Sequence, residues 1–166
     1  MKRPIAEQVL AALLDASGKL NDMLFLILNK CMKEQFIAYR RGVGGAIGYL
    51  FDILEPIFRE HPDLEPEEWK GPYEKSDVSS APQPDDPGIP MERPIAEQAL
   101  AALKDASLKV NTTLELIQKE CSEEEVVAYR EAAETAMGYL SRDLIEPILR
   151  QHPDLEPEKL KEPHPE

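Results

Sequence analysis

The chain has 166 residues, a formal net charge of −13, 42% hydrophobic and 6% aromatic residues, and two cysteines. That length suits one domain or two small ones, and the acidic balance argues against a nucleic-acid backbone or an anionic membrane surface as partner. Two cysteines make no disulfide scaffold, and the longest apolar run, Met23 to Leu28, falls far short of the about 20 residues that span a bilayer; Lys2 and Arg3 precede no signal-type apolar segment, so a soluble, cytoplasmic protein is expected.

The first expected element opens at Pro4, which suits a first helical turn because its missing N–H has no intrahelical partner there. From it an apolar series, Ile5, Val9, Leu13, Ala16, Leu20, Leu24, Ile27 and Cys31, advances in steps of three and four, the spacing of one helix face. The break follows Cys31. A second helix carries Phe36, Val43, Ile47, Leu50, Leu54 and Ile57 at the same spacing. Pro56 lies inside that pattern; it removes a backbone hydrogen bond and crowds the preceding turn, so a kink or break is expected just before it. His61-Pro62 ends the helix, because proline cannot continue it and a histidine suits the negative helix end. Residues 73–90, YEKSDVSSAPQPDDPGIP, read as an extended, solvated linker.

From Met91 the chain repeats itself. MERPIAEQALAALKDASLKVNT answers MKRPIAEQVLAALLDASGKLND at an offset of 90, and 28 of the first 50 positions are identical. The second stripe is Ile95, Ala99, Leu103, Ala106, Val110, Leu114, Ile117 and Cys121. Ser122 and Glu125 then supply a capping box, where the first copy has Met32 and Gln35. Beyond Leu140 the offset becomes 91, because Ser141-Arg142 stands where the first copy has only Phe51. One added residue turns a regular helix by about 100°, yet Leu144, Ile145 and Ile148 must reach the core as Ile53, Leu54 and Ile57 do. An irregular, π-type wide turn is therefore expected near residues 140–146, ahead of Pro147. No segment alternates with period two, so no strand is expected.

The organisation is thus a helical hairpin over residues 1–72, the linker, and a second hairpin with a polar tail over residues 91–166. Two diverged copies joined by a linker that is not Gly/Ser-rich read as a gene duplication. A hairpin has one apolar side that must find another. The expected fold is all-α: two tandem hairpins packed as an intramolecular, pseudo-dimeric four-helix bundle.

The copies differ in a pattern. Residues 1–72 carry 9 basic and 11 acidic groups, net −2, whereas residues 91–166 carry 9 and 17, net −8. Leu14 becomes Lys104, Phe25 becomes Glu115 and Leu28 becomes Gln118, three positions on one helix face. On the second helix Gly44 becomes Glu134 and Phe51 becomes Ser141. Leu14, Phe25, Leu28, Gly44 and Phe51 therefore outline an extra apolar face on the first copy, of the kind that marks interfaces on soluble proteins.

Other motifs carry less. Gly42, Gly44, Gly45 and Gly48 do not form a nucleotide loop, because Ile47 occupies the third glycine position of GxGxxG and no strand precedes it. Gly44 and Gly48, four apart, are expected to let a neighbouring helix approach closely. His61-Pro62-Asp63 and His152-Pro153-Asp154 resemble the tripeptide of J-domain co-chaperones over three residues, but acidic Asp52, Glu55 and Glu60 stand where that family has a basic helix; a helix stop is the ordinary reading. No Glu-x-x-His pair exists for a bundle metal site, and Cys31 and Cys121 lie far from the histidines, so neither metal nor cofactor is expected. Asn21, Tyr39 and Arg40 recur as Asn111, Tyr129 and Arg130, and a partly buried arginine needs a partner, so a polar network is expected in each copy.

Lacking a catalytic constellation, the chain reads as a non-enzymatic interaction module that binds a protein partner, or itself, through the first copy's apolar face. The alternative is an acidic inhibitor or immunity-type protein that offers the second copy's carboxylates to a basic target.

Overall fold

The computed structural model describes residues 1–67 and 91–156. The linker expected at 73–90 and the last residues of the polar tail lie outside them. Helices α1 (Arg3–Lys30) and α2 (Lys33–Glu60) form the first hairpin, and α3 (Arg93–Glu120) and α4 (Glu123–Tyr139) open the second. A π turn over Leu140–Ile145 joins α4 to α5 (Glu146–Gln151). One turn of 3-10 helix follows each hairpin, at Pro62–Leu64 and Pro153–Leu155. There is no strand among the described residues.

The two hairpins pack into a four-helix bundle, as the single apolar side of each requires. Helices α1 and α3 share the broadest interface, and α1 with α2, α2 with α4, and α3 with α4 complete a square. The two hairpins run antiparallel. Asp15 of α1 reaches Lys109 of α3 at 2.6 Å, and the nitrogen of Met1 lies 2.5 Å from Glu125, at the far hairpin's turn. Small side chains make the broad interface possible: Ala6, Ala16, Ala96, Ala99 and Ala106 are fully buried. Around them Leu13, Leu20, Leu103, Leu140 and Leu144 are sealed from solvent, each contributing about 2 kcal/mol of transfer free energy.

The first helix stripe holds as far as Leu20 and again at Ile27, but Met23 rather than Leu24 points inward, and Cys31, just past the helix end, is only partly buried. The second differs more. The buried side chains of α2 are Gln35, Tyr39, Val43, Ala46, Leu50, Ile53, Leu54 and Ile57. Phe36 and Ile47 flank this stripe and are only partly buried.

The added residue is absorbed as expected. Leu140 N–H bonds to the carbonyls of Ala136 and Met137, and Glu146 N–H reaches back five residues to Ser141 O. That wide turn returns Leu144 and Ile148 to the core, whereas Ile145, unlike Leu54, is only partly buried. Pro147 follows at once, where the ring has no N–H to lose to a tight turn. Pro56, by contrast, breaks nothing: α2 runs through it to Glu60. The expected break is absent because Asp52 and Pro56 both face solvent, and water can take the carbonyl that the proline leaves without a donor.

Candidate interaction surface

Each hairpin is closed at its open end by the same clasp. His61 Nε2 donates to the carbonyl of Met1 at 2.9 Å, and His152 Nε2 to that of Met91 at 2.6 Å. The aspartate two residues on turns back to the arginine that begins the hairpin: Arg3 meets Asp63 at 2.6 Å and Arg93 meets Asp154. Arg3 holds the Asp63 carboxyl below its ordinary range. The His-Pro-Asp tripeptide therefore fastens the end of one helix to the start of the other. The joint recurrence of Arg-Pro and His-Pro-Asp in both halves was its sequence signal.

At the opposite end of the first hairpin lies its tip. Phe25 is 64% exposed, Leu28 49%, Met32 54% and Ile37 50%. These four large apolar side chains span the end of α1, the turn and the start of α2. The equivalent positions in the second hairpin are Glu115, Gln118, Ser122 and Val127. Lys33, Arg40 and Arg41 stand four before, three after and four after Ile37, so they border it on the helix surface. Around Val127 the corresponding positions are Glu123, Arg130 and Glu131, and a shallow depression is lined by Glu123, Glu124, Val127, Ala128 and Glu131.

The five residues expected to form one apolar face therefore separate. Phe25 and Leu28 are exposed together at the tip. Leu14 and Phe51 are half-buried and pack on the core. Gly44 faces open space, as does Gly48. The close helix approach expected at Gly44 and Gly48 occurs at Gly42 and Gly45 instead. A Cβ on Gly42 would stand 2.6 Å from Leu144, and one on Gly45 would stand 3.1 Å from the Tyr139 ring. Ile37 gives no signal in the substitution pattern because Val127 keeps apolar character at its place, and the change of Met32 to Ser122 reads first as a helix cap.

The polar network is not assembled either. Asn21, Arg40, Asn111 and Arg130 are all exposed, because Tyr39 and Tyr129 take the inward position and a neighbour in a helix points about 100° away. The tyrosines differ. Thr113 donates to Val110 O at 2.7 Å and accepts the Tyr129 hydroxyl. In the first hairpin Met23 stands at that place, and the Tyr39 hydroxyl is buried with no hydrogen-bond partner. Burial pushes both phenols well above their ordinary range.

Between the second half of α2 and the first half of α4 lies a cavity of about 150 Å³. Its apolar wall includes Ile53, Pro56, Ile57, Tyr129 and Ala132, with Glu60 and Glu125 among its carboxylates. Met1's ammonium pairs with both of these, and Glu125 is held down to about 2 by that ammonium and by the Ser122 N–H and hydroxyl. Cys31 and Cys121 are free, partly buried thiols at opposite ends of the bundle, raised chiefly by burial. Among the described residues no three His, Cys, Asp or Glu side chains converge as a metal site, and no helix is long and apolar enough to cross a membrane.

No family model, curated protein or solved structure matches this chain.

Proposed function

We propose that the chain is a non-enzymatic helical interaction module that binds a protein partner through the tip of its first hairpin. The observation that carries this reading is the cluster Phe25, Leu28, Met32 and Ile37. It is about half exposed or more at every member, while the same backbone in the second hairpin is clothed mainly in polar groups. Lys30, Lys33 and Arg40 around it favour a partner whose apolar surface is bordered by carboxylates. The double change Phe25→Glu with Leu28→Gln gives the tip the second hairpin's chemistry. Helical circular dichroism is expected to persist, while self-association in sedimentation and capture of partner from the native host are lost together. Loss of the fold, or capture equal to wild type, would sink the reading.

A second reading is favoured by the acidic depression around Val127: an inhibitor-like protein that presents Glu123, Glu124 and Glu131 to a basic target. Salt separates the two, since apolar docking survives high ionic strength and carboxylate docking weakens steeply. Origin by gene duplication is supported by the 28-residue length shared by α1, α2 and α3 and by the clasp present in both hairpins. Free thiols at both tips fit a reducing compartment, which supports a cytoplasmic site of action.

A further inference from the structure

The two hairpins are not interchangeable on the surfaces they press together. Gly42 and Gly45 of α2 are notches that receive Leu144 and the Tyr139 ring of the other hairpin. At the equivalent positions α4 carries Ala132 and Thr135. Two second hairpins paired in this geometry would push the Ala132 methyl into the Leu144 side chain, which would have to shift, and would crowd Thr135 against the Tyr139 ring by a few tenths of an ångström. Two first hairpins would oppose Gly42 to Ile53 on a regular helix. Ala132 and Ile53 already border a cavity of about 150 Å³ that Met1, Ile57 and Tyr129 also line, and a glycine there would add to it.

Charge ranks the pairings the same way. The start of each hairpin lies beside the tip of the other. The positive charge of Lys2 acts on Cys121, and the negative charge of Glu92 acts on Cys31. Lys2 thus accompanies the tip that bears Lys119 with Glu120, Glu123, Glu124 and Glu125, net negative, and Glu92 the tip that bears Lys30 and Lys33 with Glu34, net positive. Pairing of like hairpins would set Lys2 beside Lys30 and Lys33, or Glu92 beside four glutamates. Juxtaposed like charges are a common device against wrong partners.

We infer that the two hairpins are exclusive partners: the notched, less acidic first hairpin accepts the π-turned, more acidic second hairpin, from its own chain or another, and neither accepts a copy of itself. The inference is independent of what the first tip binds. When two chains meet, the only exchange open to them is of unlike hairpins.

The test begins with the full chain. A protease site is placed within residues 68–90, the folded protein is cut, and the hairpins are unfolded and refolded together. Native mass spectrometry then counts the pairs. Unlike pairs are expected in about tenfold excess over chance or more, since discrimination of that size needs only a modest energy difference. A statistical mixture would overturn the inference. In a second chain the notches are opened and the charge reversed by Ala132→Gly, Thr135→Gly and Glu92→Lys; pairs of second hairpins should appear, and their absence from a variant whose uncut chain remains helical would also overturn it. If the cut chain does not refold, the uncut chain supplies a double-mutant cycle. Leu144→Ala should relieve most of the loss of stability caused by Gly42→Ala, and additive effects would refute the steric fit.

Discussion

The tips of the two hairpins share a backbone and little else. One presents Phe25, Leu28, Met32 and Ile37 within a basic border; the other presents Glu115, Gln118, Ser122 and Val127 among glutamates. The first helices have the same 28-residue length, the clasps are the same, and the inward Leu10, Leu13 and Leu50 recur as Leu100, Leu103 and Leu140. Conformation here follows from what is buried, and the solvent side of the same helices is free to change its chemistry. Inside the bundle the comparison runs the other way, because differences there come in matched sets. Gly42 goes with Leu144, whereas Ala132 goes with Ile53 and a cavity. Thr113 goes with Tyr129, whereas Met23 leaves the Tyr39 hydroxyl alone.

The largest test of that matching is truncation of the knob. Leu144 is fully buried in a close-packed notch, so Leu144→Ala is expected to cost about 3 kcal/mol in urea unfolding. Ile53→Ala should cost clearly less, because its side chain already borders empty space and has fewer contacts to lose. Equal losses at the two sites would mean that the second hairpin's wide turn makes no special fit.

The tyrosines give a smaller effect of opposite signs. Tyr129→Phe removes a made hydrogen bond and should cost about 1 kcal/mol. Tyr39→Phe removes a buried hydroxyl with no partner and should be neutral or stabilising. Thermal midpoints of the two single variants decide it, and a loss at Tyr39 comparable to that at Tyr129 would show that its hydroxyl has found a partner.

The helix starts differ by less again. Ser122 caps α4 with its hydroxyl and Glu125 closes the box at 3.0 Å, whereas at α2 Gln35 accepts the Met32 N–H at 3.3 Å and the Met32 side chain has only a thioether, a weak acceptor. Ser122→Ala should cost about 0.5–1 kcal/mol, and Met32→Ser should gain a similar amount. The gain is read from chemical denaturation; no gain would mean that Met32 packs rather than dangles.

The hairpins, the bundle and the π turn were legible from the sequence because each follows from counting: apolar steps of three and four, one unsatisfied face per hairpin, one residue too many after Leu140. What was not legible depended on rotation and on neighbours. Placing Phe36 and Ile47 in the stripe, rather than Tyr39 and Ala46, turned α2 far enough to make Arg40 look half-buried. Gly42 could not be told from Gly44, because only the opposite helix decides which of them meets a side chain. Substitutions between the copies outline one apolar patch, although Leu14 and Phe51 lean on the core and only Phe25 and Leu28 stand out from it.

The smallest effect separates the two helix starts by pH. Glu125 sits at about 2 in the folded chain, below the ordinary carboxylate value of about 4.3. A carboxyl depressed on folding adds stability that is present above its unfolded pKa and is lost as pH falls toward the folded one. The contribution should therefore fade between about pH 4.3 and about pH 2. The Met1 ammonium is raised by the Glu125 and Glu60 carboxylates, so its share has the opposite sense: it is present below about pH 8 and fades as pH rises through the folded value. Glu125 is about one-third exposed, and water screens the pair, which keeps the effect below those of the caps and the core. Glu125→Gln copies the first hairpin's Gln35 and keeps a side-chain acceptor for the Ser122 N–H. It should flatten the acid limb of a urea-midpoint against pH curve and leave the limb due to Arg3 and Asp63 in place. An acid limb unchanged by Glu125→Gln would assign the loss to other carboxylates and remove the ion pair as a difference between the two hairpins.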